Sequence, residues 1–367
     1  MGADFIGGSN VKRLHSLVFC LPLLSLAAFA CGDDEAPDEN GTPPPTQAEL
    51  VARGDYLVNH VAACPDCHTP RNMDGSLDMD NFMAGAECFV DADPANGVGC
   101  LNTPNLTNDE TGLMNRSDEE IKDMFLEGER PDGDYLFAVM PYWIFGNMTD
   151  QDADAIVAYL RTIDGIDHET PDNEAPFDER PPAAANRIDL DLVPMPVADY
   201  ENQESAMRGR YLAAQAGVCI ECHTKENPPT DPDPLQLDMA FAGGREFPLG
   251  PGFIATSANI TPDATGIEDY TVDDIVRVLH DGLDREDEPI CPPMPVGPMG
   301  AFGGLTDSDA EDIANYLLSL PPIENDVEDC SLMMPPPGGG GAGGASGEGG
   351  AGGSPASTGG AGGSGGA

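Results

Sequence analysis

The chain repeats itself, and that repetition restricts its fold more than any other feature. Arg53-Gly54-Asp55-Tyr56-Leu57 returns as Arg208-Gly209-Arg210-Tyr211-Leu212, 155 residues later. At the same offset, Cys64-Pro-Asp-Cys67-His68-Thr69 returns as Cys219-Ile-Glu-Cys222-His223-Thr224. Asn105-Leu106-Thr107, closing on Gly112, answers to Asn259-Ile260-Thr261 and Gly266, and Met140-Pro141 to Met294-Pro295, both 154 residues on. Last, Met148-Thr149-Asp150 with Ala158-Tyr159-Leu160 matches Leu305-Thr306-Asp307 with Asn315-Tyr316-Leu317. Five blocks in one order with so little drift mark a tandem duplication. At 367 residues the chain has room for two separate cores.

Each copy reads as helical. A short helix, at about 54–63 and 209–218, leads into the Cys-x-x-Cys-His turn. A long Gly/Pro/Asp-rich stretch follows, too broken for regular structure. Ser117 and Thr271, with acids behind them, cap helices over 121–127 and 275–281; Thr149 and Thr306 cap the last helices, which run to about Arg161 and Leu320. The expected organisation is a signal peptide over 1–30, a polar tether over 31–48 and a first domain over 49–164. A Pro- and acid-rich linker over 165–205, a second domain over 206–330 and a disordered Gly-rich tail over 331–367 complete it.

The N-terminus reads as an export signal. Lys12 and Arg13 precede an apolar run over 14–30 that contains Pro22. That run suits a signal, whose apolar part spans about 7–15 residues, better than a membrane span of about 20. Ala28-Phe29-Ala30 fits a cleavage site, and the same residues before Cys31 form a degenerate lipoprotein box. The expected location is periplasmic or on the outer surface, with a lipid anchor at Cys31. A net charge of -49 argues against nucleic acid or an anionic membrane surface as partner, and favours a docking partner with a basic face.

Export makes disulfides plausible, and the ten cysteines can all be placed. Cys20 leaves with the signal and Cys31 is the anchor candidate. Cys88 with Cys100, and Cys291 with Cys330, are candidate disulfides whose connectivity sequence does not fix. The remaining four are Cys64 with Cys67 and Cys219 with Cys222. Cys-x-x-Cys-His is the attachment signature of c-type haem. Two thiols three positions apart lie on one side of a helical turn and reach two vinyl groups of one porphyrin. The adjacent imidazole, His68 or His223, then meets the iron. A zinc site would need its Cys pairs about 15–20 residues apart, and these are 155 apart. No βαβ pattern precedes either motif, as a thioredoxin-like site would require. The implied cofactors are two covalently attached haem c groups.

A sixth ligand must come from elsewhere in each copy. Met140 follows His68 by 72 residues and Met294 follows His223 by 71; both stand before Pro and 35 residues after the matched Asn. Of 15 methionines these two share the repeat's register, whereas Met148 and Met299 do not correspond. Thioether sulfur favours reduced iron and raises the potential. Trp143 and Tyr142 are expected to wall the haem pocket, and Asn105 and Asn259 to satisfy local backbone or hold the haem edge. Tyr56 and Tyr211 are expected to pack with Tyr159 and Tyr316, first helix against last. His60 and His280 read as packing or solvated side chains.

Glu49 to Pro322 resembles the cytochrome c superfamily, and in particular the multi-haem cytochrome subunits of bacterial alcohol and gluconate dehydrogenases. The residues that carry the likeness are Gly54-Asp-Tyr56-Leu57, Cys64 to His68, Thr103-Pro-Asn-Leu-Thr107, Met140-Pro-Tyr142 and Ala158-Tyr-Leu160, with their second-copy equivalents. It implies an all-α fold of two tandem cytochrome c-like domains, each with His/Met ligation, that relays electrons between a redox donor and acceptor without being an enzyme. The chain departs from that group in having two haem motifs where three are usual, and in its Cys88–Cys100 insertion. Two alternatives need an open iron site: a di-haem peroxidase-like enzyme and a haem-based sensor.

Overall fold

A computed structural model describes residues 43–93, 98–228, 231–250 and 253–327. The signal segment, Cys31, Cys330 and the Gly-rich tail lie outside the described residues. The fold is mostly helical. In the first half, α1 (Gln47–Tyr56) runs into a π-helical turn (Leu57–Val61), followed by α2 (Cys64–His68), α3 (Asp118–Leu126), α4 (Tyr142–Phe145) and α5 (Asp150–Leu160). The second half repeats the series as α6 (Gln203–Ala214), α7 (Cys219–Cys222), α8 (Val272–Asp281), a 3₁₀ turn (Ala301–Gly304) and α9 (Asp307–Leu318).

The helix starts follow from local chemistry. Ser117 and Thr271 accept from the amides of Glu120 and Asp274, whose carboxylates return to the cap backbone. Thr149 and Thr306 accept from Asp152 and Asp309 amides at 3.2 Å. Such caps satisfy amides that the helix itself leaves unpaired.

In each half the first and last helices cross in direct backbone contact. A Cβ at Gly54 would lie 1.8 Å from the Ala155 carbonyl oxygen, and one at Gly209 would lie 1.8 Å from that of Asp312. Glycine is therefore required at both crossings. Arg53 fastens its crossing to Asp152 through Nε and Nη2 at 2.8 and 2.9 Å; Arg208 does the same with Asp312 at 2.7 and 2.8 Å. Around these crossings Leu57, Ile144, Ile156, Leu212, Phe241, Ile313 and Tyr316 form a buried core.

Strand content departs from the all-helical expectation. The stretch after each motif holds a small antiparallel hairpin: β1 (Val90–Asp93) with β2 (Val98–Leu101), and β3 (Glu246–Gly250) with β4 (Phe253–Thr256). Val90 pairs with Leu101, and Glu246 with Thr256. These strands are too short to leave an alternating pattern above the surrounding Gly and Pro. The first hairpin is closed by a Cys88–Cys100 disulfide spanning 12 residues. Cys291 is also disulfide-bonded. Replacing Cys88 and Cys100 with Ser should lower stability by about 3 kcal/mol, the loop entropy such a link removes. Chemical denaturation read by circular dichroism checks this, with haem content expected to be unchanged.

Residues 165–202 contain no helix or strand, and they are tied to both halves. The Ala185 amide donates to the Tyr142 hydroxyl at 2.8 Å and that of Ile188 to the Trp143 carbonyl at 2.8 Å. Further on, Arg210 reaches the Val193 carbonyl at 3.1 Å and the Tyr316 hydroxyl the Pro194 carbonyl at 2.9 Å. Among the described residues no helix is long and apolar enough to cross a membrane.

Candidate functional site: two matched cysteine–histidine turns

Each motif forms one short helical turn, α2 and α7, with the histidine at or just past its end. Both imidazoles are buried, 6% exposed at His68 and 7% at His223. His68 Nδ1 lies 3.1 Å from the Pro104 carbonyl oxygen, and His223 Nδ1 lies 2.8 Å from that of Ala258. A carbonyl oxygen only accepts, so Nδ1 carries the proton in both rings. This leaves the Nε2 lone pair free, the tautomer a metal-bound histidine needs. Burial also lowers both histidine pKa values and keeps the rings neutral.

The backbone around each ring is fastened identically in the two halves. The His68 carbonyl accepts from Gly85 N–H at 2.8 Å, and the His223 carbonyl from Gly243 N–H at 2.8 Å. The next residue, Thr69 or Thr224, is fully buried and accepts from the amide of Met83 or Phe241 at 3.0 and 3.1 Å. These two threonines are functional supports that sequence reasoning missed. Their signal was present, since each directly follows its motif in both copies.

Cys64, Cys67, Cys219 and Cys222 are free thiols, although other cysteines of the chain are bridged. Burial pushes the Cys64, Cys219 and Cys222 thiols up to about 12 and raises that of Cys67 as well. Thiolate chemistry at neutral pH is therefore disfavoured at all four. Among the described residues no three His, Cys, Asp or Glu side chains converge as a metal cluster, so the donor set does not resemble a zinc site. Paired neutral thiols beside one imidazole do suit thioether attachment of haem.

Met140 and Met294 occupy corresponding turns. In each, the methionine carbonyl accepts from the amide two residues on, at 2.8 Å from Tyr142 and 3.0 Å from Val296. Both side chains pack partly buried against the core. Of the two methionines out of register, Met299 is 90% exposed and Met148 is buried in the core. Tyr142 and Trp143 are buried as well, with Trp143 Nε1 donating to the Ala138 carbonyl at 3.0 Å.

The matched asparagines stitch loops together. Asn105 Oδ1 accepts from the Thr107 amide and its Nδ2 donates to the Ile166 carbonyl; Asn259 treats Thr261 and Ile323 in the same way. The segment after each last helix is thereby pinned beside its motif, which answers to the local-backbone alternative.

An apolar hollow beside Cys219 is lined by Leu212, Leu279, Phe302, Leu305 and Ile313, together with Val61 from the first half. His60, from the same π-helical turn, also lies against the second half, with Nδ1 3.1 Å from the Ala301 carbonyl oxygen. His280 is half-buried, and its Nε2 has no hydrogen-bond partner, which differs from the solvated side chain expected.

Comparison with known proteins bears on this geometry. Residues 51–164 match the family model for cytochrome c. Residues 51–164 are thus similar to a cytochrome c domain. Similar to this chain is a fructose dehydrogenase cytochrome subunit from Gluconobacter japonicus, 27% identical over 76% of this chain and 54% of that one. The cytochrome c subunit of a quinone alcohol dehydrogenase from Gluconacetobacter polyoxogenes is 28% identical over 76% and 58%. A diheme cytochrome c-type protein from Cereibacter sphaeroides is 26% identical over 75% and 87%. The chain thus spans little more than half the length of the two dehydrogenase subunits. A cytochrome c domain implies covalently bound haem c, and the half-buried thiol pairs and Nδ1-protonated imidazoles suit such a group.

Proposed function

We propose that the chain is an exported di-haem cytochrome c that carries electrons between redox partners and performs no chemistry on a substrate. The observation that carries this reading is the double set of neutral, buried imidazoles. Each is oriented through Nδ1 by a backbone carbonyl and stands beside two half-buried free thiols. In this proposal Cys64 and Cys67 hold the first haem and Cys219 and Cys222 the second. His68 with Met140, and His223 with Met294, are the axial pairs. A haem iron held between imidazole and thioether supplies a one-electron couple of raised potential. The chain fixes the tautomers and keeps water from the rings.

The Cys88–Cys100 disulfide supports an oxidising compartment, as does the basic-then-apolar start over 12–30. A net charge of -49 favours donor and acceptor faces rich in Lys and Arg. The names of the similar cytochromes make a dehydrogenase the donor to test first. Cys31 is proposed as a lipid anchor.

Redox titration with haem quantitation tests the proposal. Two haems per chain, both low-spin and neither taking up carbon monoxide, are expected. A single haem, or tight carbon monoxide binding by one native haem, would turn the reading toward the peroxidase-like alternative. Met140→Ala and Met294→Ala should each convert only the matching haem to a high-spin, carbon monoxide-binding form. An unchanged spectrum would refute the ligand assignment.

A further inference from the structure

The two halves are joined by a reciprocal contact that the repeat alone does not announce. The Tyr56 hydroxyl, on the first helix of the first half, donates to Asp309 Oδ2 at 2.6 Å and accepts from the Thr306 amide at 3.2 Å. The Tyr211 hydroxyl, on the first helix of the second half, donates to Asp152 Oδ2 at 2.6 Å and accepts from the Thr149 amide at 3.3 Å. Tyr56 and Tyr211 are repeat equivalents, and so are the Thr149–Asp152 and Thr306–Asp309 caps. Each half therefore seats its tyrosine on the capped start of the other half's last helix, with two-fold logic inside one chain.

These clasps lie two or three helical turns before the motifs, and the chain beyond them is drawn across the junction. A Cβ on Gly217, two residues before Cys219, would lie 3.2 Å from the Val61 carbonyl oxygen, three residues before Cys64. Val61 itself helps line the hollow beside Cys219. The segments that lead into the two attachment turns thus meet at the junction between the halves.

We propose that Tyr56 and Tyr211 are positioning residues, whose reciprocal clasps hold the two attachment turns together so that the bound haems behave as an interacting pair. This rests on the di-haem reading above. The hydroxyls are suited to that role, because burial and the facing carboxylates push both tyrosines up to about 12, so they remain donors throughout the working pH range.

The experiment compares the full haem-loaded chain with its Tyr56→Phe/Tyr211→Phe double variant, which keeps the rings and removes only the hydroxyls. In the native protein the two ferric low-spin signals should shorten each other's electron-spin relaxation, and reduction of one haem should shift the titration of the other. The double variant should retain two haems and both low-spin spectra but lose most of the mutual relaxation and the titration shift. Asp309→Asn, which weakens one clasp, should fall between the two. Tyr159→Phe, whose hydroxyl accepts within its own half from Asn59, should leave both readouts unchanged. A double variant indistinguishable from the native protein in relaxation and titration overturns the positioning role. So does a native protein with two haems and no mutual effect, in which case the carrier reading survives. A native protein with one haem overturns both.

Discussion

Alanine in place of Gly209 is expected to cost about 3 kcal/mol of stability, toward the severe end for an overpacked core. The added methyl would start 1.8 Å from the Asp312 carbonyl oxygen and 2.8 Å from the Tyr316 Cβ. Neither obstacle is the free end of a flexible chain, so relief requires α6 and α9 to separate. Separation in turn strains the Arg208–Asp312 ion pair and the Ser205–Asp312 hydrogen bond, which seat a carboxylate only 4% exposed. Gly54→Ala meets the same obstruction at Ala155 and Tyr159, and should cost a similar amount in the first half. Denaturant midpoints compared with Glu204→Ala, an exposed change on α6, measure the effect. A near-native midpoint for either glycine variant would show that the crossings can open without penalty.

How much of this was legible in the sequence depends on the range of the interactions concerned. The caps at Ser117 and Thr271 were legible because a hydroxyl and an acid three residues on satisfy each other locally, and those at Thr149 and Thr306 because a hydroxyl ahead of acids is itself a helix start. The motif turns were legible because their chemistry is packed into five residues. The equivalence of Met140 with Met294 came from the repeat's register, which requires no tertiary knowledge. The partners of Tyr56 and Tyr211 were not legible. The sequence places these tyrosines only as packing first helix against last, and the structure shows that each hydroxyl reaches the last helix of the other half. Both copies present the same Thr-x-x-Asp cap to both tyrosines, and the sequence carries no mark of which copy each will meet. The same blindness hid His60 against Ala301 and Val61 beside Cys219. Residues 165–202 show the reverse difficulty. Their composition identified an extended segment, but hydrogen bonds from single side chains such as Tyr142, Arg210 and Tyr316 do not register as periodicity.

Removing one thiol pair should separate the two halves functionally. In a Cys219→Ala/Cys222→Ala variant, covalent haem is expected to fall from two equivalents per chain to one, with the survivor in the first half. The loss should be complete rather than partial. The attachment turn α7 presents no other thiol, and without the two thioether bonds only the coordination proposed for His223 and Met294 would remain. The converse variant, Cys64→Ala/Cys67→Ala, should retain the second haem, and the two surviving spectra should add to that of the native protein if the sites are independent in ligation. Because Val61 of the first half lines the hollow beside Cys219, the converse variant should also shift the potential of the haem that remains. Iron quantitation and a redox titration of both variants check this. Two haems retained in either variant would show that the motif cysteines are not the attachment points.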